Sequence, residues 1–314
     1  MRIQQLRLPN RRLVIFAFSA SLVLAAGLLA LAQGHHMRRH TAVAKQRLTL
    51  VPADQKPPAA SEHTFDPHDG HRHVSANGIP NHDVGRFPNR RNPNSIRAQH
   101  YQFSLPVNPK PAEKITPIHN TRDFGPPNMP FGIAVNGVVF DPGTAEFWNG
   151  DRQAGWNYEA LSGAVSLGVD ANHAHVQPTG AYHYHGIPTM LLKELGHSSS
   201  KHSPLIGWAA DGFPIYCQYG YREPQDPTSK TIELRSSFGV KDGNRPGAPD
   251  GPGSKYDGTF VQDYTYDEGI GHLDECNGRF CKTPEFPDGT YAYFLTSEWP
   301  VIPRAFRGTP LNLR

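Results

Sequence analysis

Long apolar runs are scarce in this chain. One uncharged stretch, Leu13 to Ala32, is the exception, and hydrophobic residues make up only 37% of the 314. A bundle of many membrane-spanning helices is excluded, since each helical span needs about 20 apolar residues. Charge is sparse too, at 19%. Four of the arginines (Arg2, Arg7, Arg11 and Arg12) precede the apolar stretch, and the remainder carries 27 basic and 28 acidic residues. That balance leaves no basic footprint for nucleic acid. Cysteine is limited to three residues, which rules out both a disulfide-dense scaffold and a four-cysteine zinc site. The chain also lacks a G-x-S-x-G elbow, a P-loop, a dinucleotide fingerprint and an H-E-x-x-H helix. Ser203, Ser254 and Ser198–Ser200 sit in loop-like contexts without triad signals.

What is plentiful is glycine, proline and histidine: 30, 30 and 17 residues. The first two predict a loop-rich, mainly β body with few helices. Residues 1–32 have a basic start, an apolar stretch and an A-x-A ending at Ala30-Leu31-Ala32, as an export signal does. Residues 13–32 are also long enough to span a bilayer as an uncleaved anchor. Either way the body is expected in an extracytoplasmic space: periplasm, envelope or outside. Asn10-Arg11-Arg12-Leu13-Val14-Ile15 loosely resembles a twin-arginine signal. In an oxidising compartment Cys276 and Cys281 (C-N-G-R-F-C) are spaced to close a small disulfide loop. Cys217 then reads as a buried spare, with a copper-ligand role as the alternative.

Residues 33–75 read as a disordered linker, with Pro57-Pro58, few large apolar residues and seven histidines, including His35, His36, His68, His71 and His73. The plain reading is a solvated linker; the alternative is a flexible chelator feeding the folded domain. Residues 76–314 then form one β-rich domain with short helices and long loops. Strands are expected over Ala98–Pro106, Phe131–Phe140, Leu205–Ala209 and Phe213–Gln218, with turn signals at Asn136-Gly137 and Asp211-Gly212. A short helix is expected over Pro188–Leu195, ended by Gly196. Gly243–Gly258 reads as an irregular loop. Gly180-Ala-Tyr-His-Tyr-His185 is echoed by Gly289-Thr-Tyr-Ala-Tyr-Phe294, either as a duplication or as ordinary half-buried strands.

The densest chemistry lies in Asn172-His-Ala-His-Val-Gln-Pro-Thr-Gly-Ala-Tyr-His-Tyr-His185. Residues two apart on a strand share a face, so His173 pairs with His175 and His183 with His185. Pro178-Thr179-Gly180 suits a three-residue loop with Gly in the left-handed position. That register sets Gln177 against Ala181, His175 against His183 and His173 against His185, converging four imidazoles on one face. A two-residue turn would send the pairs to opposite faces.

Tyr182-His183-Tyr184-His185 resembles the signature of the YHYH-domain family of exported bacterial proteins. Supporting segments are Asn136-Gly-Val-Val-Phe-Asp141, Asn172-His-Ala-His175, Asp211-Gly-Phe-Pro-Ile-Tyr216 and Leu273-Asp-Glu-Cys-Asn-Gly278. The resemblance covers roughly Asn77 to the C-terminus and implies export, but supplies no mechanism. Family members often carry a second histidine-bearing copy near the C-terminus; Ala292 and Phe294 speak against one here.

Neutral imidazole is the commonest ligand for zinc and copper, and His173, His175, His183 and His185 are the expected ligands for one such ion. Four closed ligands would make a structural or storage site; three with an open position would allow metal-assisted hydrolysis or oxidation. The other class of reading is a non-catalytic envelope-binding module with a packed His-Tyr core. Asp170, Asp211, Asp274 and Glu275 are the acidic candidates for a supporting role, Glu275 being close in sequence to His272.

Overall fold

Two Asx-Gly turns organise the centre of the molecule. At Asn136-Gly137 and Asp211-Gly212 the glycines take φ of 79° and 90°, the left-handed conformation these turns need and glycine adopts without strain. Each turn closes a hairpin: β1 (Gly132–Ala134) with β2 (Val139–Phe140), and β5 (Gly207–Ala209) with β6 (Pro214–Cys217). Two more hairpins complete an eight-stranded sheet: β3 (Ala174–Val176) with β4 (Tyr182–Tyr184), and β7 (Gly278–Cys281) with β8 (Thr290–Leu295). These strands belong to a computed structural model that describes residues 48–118 and 130–313. The leader and the first part of the expected linker lie outside the described residues.

The strand order is β3-β4-β2-β1-β5-β6-β8-β7. It reads the same from either end once each half is renumbered. In one half β2 runs parallel to β4; in the other β6 runs parallel to β8. The halves meet antiparallel at β1 and β5, where Ile133 faces Trp208, flanked by Gly132–Ala209 and Ala134–Gly207 pairs. Corresponding details recur. Left-handed His173 (φ 53°) matches left-handed Asn277 (φ 55°). Asp170 and Asp274 each accept a tyrosine hydroxyl, from Tyr182 and Tyr291. Tyr293 likewise donates to Asp211, whereas its counterpart Tyr184 accepts from Asn136 Nδ2. The echo between Gly180–His185 and Gly289–Phe294 is therefore a repeat of topology as well as of sequence.

The fold is β-rich with few short helices, as composition predicts. Its core is aromatic: Phe131, Phe140, Tyr182, Tyr184, Tyr291 and Tyr293 are all essentially inaccessible. The expected helix spans Thr189–Glu194 (α1), burying Leu191 and Leu192. The expected long strand over Phe131–Phe140 is a hairpin, because Asn136-Gly137 reverses the chain in its middle. The loop over 243–258 holds only an isolated bridge, Asn244 with Lys255. Arg245 anchors it through a bidentate pair with buried Asp263.

Two expectations need correction. The linker does not extend to Ser75: His63–His68 and His71–Ala76 form a hairpin that pairs with Tyr101–Pro106. Its inner positions explain why. Arg72, Val74 and Ala76 are buried, and the Arg72 guanidinium lies 3.3 Å from the Trp208 ring centroid, a cation–π contact that long polar side chains can make while burying their stems. The Cys276–Cys281 disulfide does not form, and all three cysteines are free and buried. Cys281 ends the extended strand Gly278–Cys281, which draws the chain away from Cys276 instead of turning back to close a loop. Burial raises the thiol pKa of Cys276 and Cys217 and also that of Cys281, so none is an activated nucleophile.

Candidate metal centre

The hairpin β3–β4 has the register that a three-residue loop dictates. Gln177 N–H donates to Ala181 at 3.0 Å and Gly180, at φ 90°, closes the turn onto Gln177. His175 faces His183 and Ala174 faces Tyr184. Alternation then sends Tyr182 and Tyr184 into the core and His183 to the opposite face. His185, two residues on, follows His183.

Both tyrosines are tied down. Tyr182 donates to Asp170 at 2.7 Å. Tyr184 accepts from Asn136 Nδ2 at 2.9 Å and lies 2.6 Å from His82 Nε2. His82 Nδ1 donates to the Asp83 carbonyl at 2.8 Å, which leaves Nε2 to accept the phenolic proton. The strand carrying the histidines is thus fixed from behind.

His175, His183 and His185 come together. Their ring centroids are 4.6–4.7 Å apart, each pair edge-on at 68–74°, like three blades of a propeller. Nε2 of His185 is 3.0 Å from Nε2 of both His183 and His175. Backbone carbonyls orient two of the rings. His175 Nδ1 donates to Leu167 at 3.0 Å and His183 Nδ1 to Ala181 at 3.1 Å. With the proton held on Nδ1, Nε2 of each presents a lone pair to the centre. His185 Nδ1 is buried without a well-aligned partner. Burial, reinforced by the neighbouring rings, pushes His175 down to about 3 and His185 well below the usual histidine range, so both are neutral and ligand-competent at physiological pH.

His173 is not brought into this group. It is opposite His185, whose N–H donates to its carbonyl at 2.7 Å, but its φ of 53° breaks strand alternation. Its Nδ1 bonds the Ile187 carbonyl at 2.9 Å instead. Neighbouring Asn172 anchors the turn to α1 by accepting the Met190 N–H at 3.0 Å.

The acidic candidates lie elsewhere. Asp170, Asp211 and Asp274 are turn anchors that hold Tyr182, Tyr293 and Tyr291, and burial raises the pKa of all three. The carboxylate near the histidines is Asp141, which accepts Gln177 Nε2 at 3.1 Å and acts electrostatically on His175. It follows β2, and its N–H bonds the Tyr184 carbonyl. Only the parallel pairing of β2 with β4 places it there, and no local sequence signal reports such a pairing.

The three histidines and Asp141 line an open cleft of about 500 Å³ whose wall also includes Arg91, Glu146 and Arg152. The family model for YHYH proteins matches residues 102–308. The chain belongs to the YHYH family. No curated protein and no solved structure matches it. The YHYH signature thus divides by face: its tyrosines fasten the strand to the core, and its histidines face the cleft.

Tetrahedral coordination at about 2.0–2.1 Å sets ligand nitrogens about 3.3 Å apart, so two of the Nε2 contacts need to open by about 0.3 Å. The donor set and its fixed tautomers fit a zinc or copper ion.

Proposed function

We propose that this protein is an exported YHYH-domain protein that holds one zinc or copper ion on His175, His183 and His185. The observation that carries this reading is the convergence of three imidazole Nε2 atoms, two of them stripped of protons by carbonyls on the far side of the ring. Lone pairs so placed repel one another, and a cation removes the repulsion. Three rigid nitrogens also leave a coordination position facing the cleft, unlike a closed structural site.

That open position supports the second reading, a metal-dependent hydrolase or oxidoreductase. A bound ion would supply Lewis-acid or redox chemistry there. Asp141 would be placed to accept a proton or orient a ligand, with Gln177 holding its carboxylate. The reading as a non-catalytic module with a packed histidine core is less favoured, because the histidines line a cleft.

The test is elemental analysis of protein purified without added metal. One equivalent in wild type, lost in H183A/H185A, supports the site. Wild type without metal, and with no rise in melting temperature on adding zinc or copper, overturns it. The export part of the proposal rests on residues 1–32, and cell fractionation tests it: full-length protein soluble in the cytoplasm would overturn it.

A further inference from the structure

We infer that the tip of the hairpin His63–Ala76 is a second metal site, built by His68, Asp69 and His73 and separate from the cleft. The turn Asp69-Gly70 has φ of 48° and 83°, both left-handed, as a tight two-residue hairpin turn demands. It sets His68 opposite His71 and Asp66 opposite His73. Opposed residues share a face, so Asp66, His68, His71 and His73 all project outward. Ser104, on the third strand, faces His73.

The inner face is constrained by packing, through Arg72, Val74 and Ala76. The outer face is constrained only to be polar, and any hydrophilic residue would serve. It holds two imidazoles, His68 and His73, beside the turn carboxylate Asp69, close enough together to share one ion. The His68 and His73 rings stack at 4.0 Å. Asp69 Oδ1 is 3.0 Å from His73 Nε2 and 3.4 Å from His71 Nδ1. One ligand atom from each of His68, Asp69 and His73 lies within 4.8 Å of the other two. Mixed imidazole and carboxylate donors suit zinc or copper. The side chains are 38–60% exposed, so the site opens directly to solvent. Such an open site binds weakly and exchanges metal fast.

The inference does not depend on the cleft being a metal site. The experiment is a Zn²⁺ titration of the full chain against H68A/H73A, followed by calorimetry and by imidazole ¹⁵N resonances. Both replaced side chains are exposed, and matching melting temperatures in metal-free buffer establish that the variant is folded. The expected result is loss of one weak zinc equivalent in H68A/H73A, with the His68 and His73 resonances shifting together in wild type. Identical isotherms for the two proteins, or shifts spread evenly over the exposed histidines, would overturn it.

Discussion

At the scale of single residues, position within the hairpin decides what each histidine does. His173 and His175 are two residues apart in sequence, yet a left-handed φ at His173 separates their roles. His173→Gly should therefore keep one equivalent of metal, because glycine tolerates that conformation and the residue contributes no ligand. His185→Ala should lose metal, since His185 Nε2 lies 3.0 Å from Nε2 of both other rings. Elemental analysis of the two variants side by side distinguishes them; metal loss in His173→Gly would contradict this assignment. The tyrosines predict a different phenotype. Tyr182→Phe removes one donor from the buried Asp170, which keeps the backbone N–H groups of Gly85, Asn172 and Ala174, and a lost buried hydrogen bond of this kind costs about 1–3 kcal/mol. Denaturant unfolding of metal-free protein should show that cost.

At the scale of elements, the loop 178–180 is the register device. Deleting Thr179 leaves a two-residue turn, and a one-residue slip exchanges the faces of every side chain on a strand. Such a variant should fold poorly and bind no metal at the cleft, measured by elemental analysis alongside circular dichroism. This part of the site was legible in the sequence, because Pro and Gly at fixed offsets specify turn type locally. The β-rich class, the Asx-Gly turns and α1 were legible for the same reason. Asp141 was not, because its place depends on the parallel β2–β4 pairing, a contact between segments more than forty residues apart. The exit of His173 was not legible either: a β-like H-x-H pattern does not reveal one left-handed residue. The strand over His71–Ala76 was hidden by histidines on its outer face, which made a two-sided strand resemble a linker.

At the scale of the whole molecule, buried neutral histidines tie stability to pH. His202 packs edge-on to Tyr216 and against Tyr221 and Phe294. Its Nδ1 donates to the Ser203 carbonyl at 2.8 Å. Burial lowers its pKa, as does Arg279, against opposing pulls from the Ser203 hydrogen bond and Glu285. The unfolded chain, with an ordinary histidine pKa of about 6.5, binds the proton first as pH falls. The His202 contribution is therefore complete above about pH 6.5 and is lost as pH drops below it. Unfolding midpoints measured from pH 7.5 to 5 should decline in wild type and decline less steeply in His202→Phe. An unchanged slope would remove His202 from the account. A truncation through Ser75 should unfold the domain rather than trim it, since it removes the strand that lays Arg72 over Trp208. Loss of the cooperative thermal transition would show this.

The matched halves carry a consequence for how the chain divides its labour. A closed two-fold dimer uses one patch twice, and the β1–β5 seam has that form within a single polypeptide. A Cβ on Gly132 would strike the Trp208 carbonyl, and one on Gly207 the Ile133 carbonyl. Gly132→Ala and Gly207→Ala should therefore destabilise by closely similar amounts, although only one lies in the half with the histidines. Across the seam the positions of His175, His183 and His185 hold Arg279, Ala292 and Phe294, and Arg279 lies over the Phe294 ring. That copy fills with its own side chains the space its counterpart leaves open. One repeat serves as ballast, so the other is free to remain hollow.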